Sequence, residues 1–151
     1  MRIAIAGYGV EGESSFRYFS QNPDNQITIV NETMPEVPIP IDIDSMIGEK
    51  VFEKLQGFDL VIRTPGLPSR KIVTDGKIWS GTNEFFDKCP GTIIGVTGSK
   101  GKGTTASLVA SILEESGKKV WLIGNIGKPA LDVLKEVKPE DYVVYELSSF
   151  Q

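Results

Sequence analysis

The sequence predicts an α/β protein built on parallel sheets, and three observations carry that expectation. Short β-branched runs alternate with helix-like segments along the whole chain. Two of the strand-to-helix passages are rich in glycine. The alternation is interrupted at Cys89-Pro90-Gly91, which divides the 151 residues into a longer first unit and a shorter second one.

Each element follows from its residues. Arg2-Ile3-Ala4-Ile5-Ala6 is apolar at consecutive positions, as a strand covered on both faces must be, and it leads into Gly7-Tyr8-Gly9-Val10-Glu11-Gly12. The spacing of Ser15, Phe16 and Phe19 predicts a helix from Ser14 to Phe19, broken at Asn22-Pro23-Asp24-Asn25. Gln26 to Val30 is a second strand, ending at Asn31-Glu32-Thr33, and three prolines between Met34 and Pro40 mark a loop. Ile41 to Asp44 reads as an edge strand or as the approach to a helix holding Met46 and Ile47. Phe58 to Arg63 is a strand stopped by Thr64-Pro65-Gly66-Leu67-Pro68; Lys77 to Ser80 is another, followed by a short helix through Glu84 and Phe86. Past the break come a strand at Thr92–Thr97, a helix at Ala106–Leu113, a strand at Lys119–Ile123, a helix around Ala130–Leu134 and a last strand at Tyr142–Glu146.

Composition removes several classes of function. The net charge is −4 and the lysines are scattered, so no basic stripe offers itself to nucleic acid. No apolar run approaches a membrane span and no signal-peptide pattern opens the chain, which points to a cytoplasmic protein without a membrane partner. The single cysteine, Cys89, excludes an intramolecular disulfide and reads as a buried thiol. Histidine is absent, which removes histidine triads and histidine metal sites; a metal here would sit on oxygen ligands, favouring Mg²⁺.

The most informative stretch is Gly98-Ser99-Lys100-Gly101-Lys102-Gly103-Thr104-Thr105, set between a strand and a helix. Glycines let backbone N–H groups converge on an anion, the helix N-terminus adds partial positive charge, and Lys102 supplies a full one. The strict phosphate-loop spacing would place glycine at 96 and a hydroxyl at 103, where the chain has Val96 and Gly103. It is a shortened variant with Thr104 and Thr105 as metal-facing hydroxyls, and it points to a nucleoside triphosphate. A lysine-bearing loop without a ligand is the competing reading. Gly7-x-Gly9-x-x-Gly12 matches the dinucleotide fingerprint, with Glu32 where a ribose-binding acid would sit; a plain tight turn is the alternative. Thr64-Pro65-Gly66 ends a strand on the same carboxyl edge. Glu146, at the end of the last strand, is placed to reach a metal held between phosphates, or is a solvated strand-end carboxylate. Asn125 and Gln151 are amides that could bind a polar substrate or serve their own loops.

These motifs, in this order and together with Gly124-Asn125-Ile126-Gly127 and Glu146-Leu147-Ser148-Ser149-Phe150-Gln151, resemble the Mur ligase family in its D-glutamate-adding branch. The resemblance spans the chain. It implies a Rossmann-like domain over residues 1–90 that binds a UDP moiety, followed at 91–151 by the first part of a phosphate-loop ATPase domain. It implies that Gly9, Val10, Glu11, Gly12, Ser14, Asn31, Glu32, Thr33, Thr64, Pro65 and Gly66 line the UDP pocket. Gly98 to Thr105 would bind ATP; Lys102 and Glu146 would act in catalysis, with Thr104 and Glu146 on Mg²⁺. Asn125, Ser148 and Gln151 would face the muramoyl substrate or the phosphates. The implied reaction joins D-glutamate to UDP-N-acetylmuramoyl-L-alanine through an acyl phosphate, in an enzyme that is a monomer at full length.

Three departures accompany the resemblance. Gly103 stands where the family has a hydroxyl, a Lys-Gly-Thr order closer to the folylpolyglutamate synthases. Asn31-Glu32-Thr33 replaces an Asp-x-Arg pattern. The family's downstream metal-binding histidine and modified lysine do not occur within the chain. A unit of about 60 residues buries only about 60% of its unfolded surface, so the second unit reads as part of a longer enzyme, inactive by itself. Two other classes remain open: a nicotinamide-binding oxidoreductase or sensor built on Gly7–Gly12, and a non-catalytic nucleotide-binding paralogue.

Overall fold

Strand β1 (Arg2–Ala6) organises the first sheet. Ile3, Ala4, Ile5 and Ala6 have no exposed surface, which requires cover on both faces and a strand on either side. Those neighbours are β2 (Gln26–Asn31) and β4 (Leu60–Arg63), flanked in turn by β3 (Asp44–Ile47) and β5 (Lys77–Ser80), giving the order β3-β2-β1-β4-β5 with every pairing parallel. This is a Rossmann-like, doubly wound order. The structure, a computed structural model, describes residues 1–124 and 128–148.

The two faces of this sheet are covered differently. Helix α1 (Val10–Phe19) and the Val37–Ile43 segment lie with Ile3, Ile5, Ile27, Ile29, Leu60 and Ile62. On the other face Ala4, Ala6, Val30 and Val61 pack against Val51, Phe52, Leu55, Phe58, Leu67 and Ile72, which belong to short 3-10 turns and connecting loops. Each such aliphatic side chain contributes about 1.5–3 kcal/mol on full burial.

The chain divides into a unit of Met1–Gly81 and a second that begins at Thr82. The second holds helix α2 (Gly81–Lys88) almost entirely, then β6 (Thr92–Val96), α3 (Lys102–Glu115), β7 (Val120–Gly124), α4 (Ala130–Val133) and β8 (Tyr142–Glu146). Its sheet runs β6-β8-β7, again all parallel. Ala106 and Ala110 bring α3 close against Val144, Val96 and Leu122. Leu108 and Ile112, on the other side of α3, stay exposed. Among the described residues no helix is long and apolar enough to cross a membrane.

Four features differ from expectation. Met46 and Ile47 lie in strand β3 rather than in a helix, because Thr28 to Asn31 pair with Asp44 to Ile47 along the sheet edge. Helix α1 starts at Val10 instead of Ser14, and α3 at Lys102 instead of Ala106, so both glycine motifs run into the first helical turn. Cys89 is half-buried, not buried; partial burial still pushes its thiol pKa up.

Candidate functional site

In an open parallel sheet the carboxyl ends of the strands are where ligands bind. At that edge of the first unit the loops are tied together by their backbones. Gly7 N–H donates to Val30 O at 2.8 Å, Thr64 N–H to Ala6 O at 3.0 Å and Gly48 N–H to Asn31 O at 3.2 Å. Gly12 is required by contact: a Cβ there would stand 2.2 Å from the carbonyl oxygen of Gly7. A Cβ on Gly9 would meet nothing within 4 Å, so the mouth of α1 is open, and no side chain caps that helix.

The residues expected to line this edge divide by their surroundings. Gly9, Val10, Glu32, Thr33 and Gly66 are exposed there, while Glu11, Thr64 and Pro65 are half-buried. Ser14 is 1% exposed and turned into the core side of α1. Asn31 works within the protein: its Oδ1 accepts from Tyr8 N–H at 3.1 Å and its Nδ2 donates to Thr33 O at 2.7 Å. It shapes the loop that carries Glu32. Arg63 Nη1 donates to Leu67 O at 3.4 Å and braces the Thr64–Leu67 turn.

Two features of this edge escaped the sequence reading. Tyr8, between the first two glycines, is 3% exposed and packs edge-on against Phe16; burial first, and the Glu13 carboxylate second, raise its phenol pKa. The Gly48–Lys50 turn, with Lys50 at φ +56°, joins the edge through β3. A tyrosine inside a glycine motif was the available signal for the first; nothing in the spacing announced the second.

At the matching edge of the second unit, the loop after β6 leads straight into α3. Gly101 takes the left-handed conformation (φ +74°, ψ +5°) that glycine adopts without strain, and it caps α3 with no side-chain hydrogen bond. The first turn of α3 contains no acid. Lys102 folds back so that Nζ donates to Gly98 O at 2.8 Å, while Ser99, Lys100, Thr104 and Thr105 are exposed and Gly103 is half-buried. Free N–H groups, an ammonium and two hydroxyls thus surround one loop.

Glu146 ends the central strand. It lies in register with Val96 on β6 and Gly124 on β7, and Leu147 N–H extends the ladder to Val96 O at 2.9 Å. Strand alternation puts its side chain on the face of Val144, the α3 face. It is 6% exposed, and its Oε2 has no hydrogen-bond partner among the described residues. A buried carboxylate oxygen left without a donor is costly unless a cation meets it. That chemistry fits Mg²⁺, a hard cation taking one or two carboxylates with the remaining ligands from phosphate and water. No cluster of three His, Cys, Asp or Glu side chains that could hold a metal ion occurs among the described residues. Ser148 is half-buried just past Glu146. Asn125 and Gln151, with the motif residues Ile126, Gly127, Ser149 and Phe150, lie outside the described residues.

Residues 96–151 match the model of the Mur ligase middle domain. A UDP-N-acetylmuramoylalanine–D-glutamate ligase of Clostridium novyi is 44% identical over 99% of this chain and 35% of its own length. The protein of the same name from Clostridium acetobutylicum is 41% identical over the same shares. That of Acetivibrio thermocellus is 44% identical over 74% of this chain and 25% of its own length. The chain spans about a third of the length of these relatives at most. Two parallel sheets, each with a glycine-rich turn at its carboxyl edge, and a similarity running through both of them, place the chain in the Mur ligase family.

Proposed function

We propose that the chain is the nucleotide-handling front of an ATP-dependent ligase of peptidoglycan precursor synthesis, one that adds D-glutamate to UDP-N-acetylmuramoyl-L-alanine. Residues 1–90 bind the UDP moiety and residues 91–151 begin the ATP-binding domain. The observation that carries this reading is Glu146 Oε2: buried, without a donor among the described residues, on the α3 face at the end of the strand beside the phosphate loop. The relatives' names support the substrate assignment.

The chemistry divides into two steps. The substrate carboxylate attacks the γ-phosphorus of ATP, ADP leaves, and an acyl phosphate forms. The D-glutamate amine then attacks the acyl carbon, releasing phosphate, losing a proton and leaving the amide. Lys102 exchanges the Gly98 carbonyl for phosphate oxygens and neutralises charge on the transferring group. Backbone N–H groups of the 98–104 segment orient the phosphates, and Glu146 with Thr104 would hold the metal. Mg²⁺, when bound, supplies electrostatic stabilisation of the phosphates. The enzyme works in the cytoplasm as a monomer at full length, and the 151-residue chain does not complete the reaction.

Isothermal titration of this chain with UDP-N-acetylmuramoyl-L-alanine, with NADH alongside, tests the reading. Heat from the uridine ligand alone is the expected result. Heat from NADH alone would overturn it in favour of a dinucleotide-binding module.

A further inference from the structure

Tyr145, one residue before Glu146, faces the opposite side of the second sheet, since neighbours on a strand alternate. It is 1% exposed, and what it meets there is helix α2. Its hydroxyl lies 3.2 Å from Thr82 Oγ1. The Phe85 ring packs edge-on against it with centroids 5.6 Å apart, and the Phe86 ring stacks at 5.8 Å with 20° between planes. Phe85 has no exposed surface. None of these three α2 residues has a part in the chemistry above.

At this end of β8 each residue has one side chain and one glycine beside it in the sheet. Tyr145 stands in register between Gly95 and Ile123, and Glu146 between Val96 and Gly124. A glycine opposite a residue offers no side chain for it to pack on, and it weakens its own strand. The hydrogen-bond ladders to β6 and β7 fix the height of β8 and hold its peptide groups in the sheet, so only the small tilt that a pleated strand allows is left to side-chain packing. Such a tilt would move Tyr145 one way and the Glu146 carboxylate the other.

We propose that Thr82, Phe85 and Phe86 are positioning residues: by clamping Tyr145 they set the aim of the Glu146 carboxylate on the phosphate-loop face. The inference rests on the reading of Glu146 as the metal-binding carboxylate of a nucleotide site. Mg²⁺ tolerates little deviation from octahedral geometry at about 2.0–2.1 Å, so a small swing of its carboxylate ligand weakens the site.

The test is isothermal titration of the protein in its full natural length with ADP, in the presence and absence of Mg²⁺. The readout is the factor by which Mg²⁺ strengthens ADP binding. Glu146→Gln should abolish that factor. Thr82→Val and Tyr145→Phe, which preserve volume while deleting one hydroxyl each, should reduce it several-fold, less than the about 10–100-fold that follows loss of a direct partner of a metal ligand. The double variant should be no worse than either single one, because both break one contact. Metal-free ADP affinity should not change in the Thr82 and Tyr145 variants. A clamp that serves folding alone would lower the unfolding midpoint and leave the Mg²⁺ factor intact in both hydroxyl variants. That outcome, with Glu146→Gln still abolishing the factor, overturns the positioning role and spares the metal site. A Glu146→Gln protein that keeps the factor removes the metal site and the positioning role together. Should Thr82→Val fail to fold, Tyr145→Phe decides, since it keeps the ring in the core.

Discussion

The chain contains two glycine-rich strand-to-helix turns that are alike in topology and opposite in charge. After β1, helix α1 opens with Glu11 and Glu13 in its first turn and no cation. After β6, helix α3 opens with Lys102 and no acid. Both helices begin without a side-chain cap, so both leave N–H groups for a ligand. In α1 the two carboxylates already complement the helix dipole and weaken its pull on an anion, so a diphosphate there relies more on backbone hydrogen bonds than on charge. That turn suits a ligand recognised by backbone hydrogen bonds and shape. The α3 turn, with an ammonium and no competing acid, suits the concentrated charge of a triphosphate. Two or three side chains in a first turn are enough to separate the ligand classes.

Charge removal breaks the comparison hardest. Lys102→Ala, made in the protein at full length, should lower ATP-dependent turnover about 10²–10³-fold, while the heat of the uridine ligand is unchanged. An equal loss at both turns would erase the distinction. Glycine replacements sharpen it on steric grounds. Gly12→Ala forces a Cβ to 2.2 Å from a backbone oxygen, and overpacking of this kind costs about 1–3 kcal/mol or more. A urea titration should show that cost in the first unit alone. Gly101→Ala meets no atom within 4 Å and suffers only from its left-handed backbone, about 1–2 kcal/mol, in the second unit. A larger loss at 101 than at 12 would mean that the α3 turn, not the α1 turn, is the closely packed one.

The smallest effect is a pH dependence confined to the second unit. Asp141 is buried and its pKa is lowered, chiefly by the Trp121 indole N–H donating to Oδ2 at 2.8 Å. Burial works in the opposite direction; the Lys138 N–H and the Lys119 ammonium lower the pKa further. With the folded pKa depressed, the stabilisation is complete above the ordinary carboxylate value of about 4 and is lost as pH falls through it toward the folded value. Trp121 fluorescence, followed during acid titration in a Trp79→Phe background, should report loosening below about pH 4. Asp141→Asn should flatten that slope; an unchanged slope would assign it to other carboxylates.

How far the sequence could be read depended on whether a feature is local. The strands around β1, β4 and β8 are legible because continuous apolar runs mean burial on both faces. The phosphate loop is legible because its residue types are themselves the chemistry. The starts of α1 and α3 are not, since glycine argues against helix by propensity and neither helix has a Ser, Thr, Asp or Asn cap to mark its beginning. Edge strand β3 shows only one buried-leaning residue, Met46, so its pattern cannot declare a strand until β2 lies beside it. The bond between Thr82 and Tyr145 joins residues 63 apart, and no spacing rule reaches that far.

The place of β1 at the centre of its sheet bears on how the chain emerges from the ribosome. The strand that needs two partners is made before either. Thr64 closes onto Ala6 across 58 residues, so at about 5–20 residues per second β1 waits roughly 3 to 12 s for its second neighbour. During that interval Ile3 and Ile5 are open to any passing hydrophobic surface, which makes this segment a natural client for a chaperone acting on nascent chains.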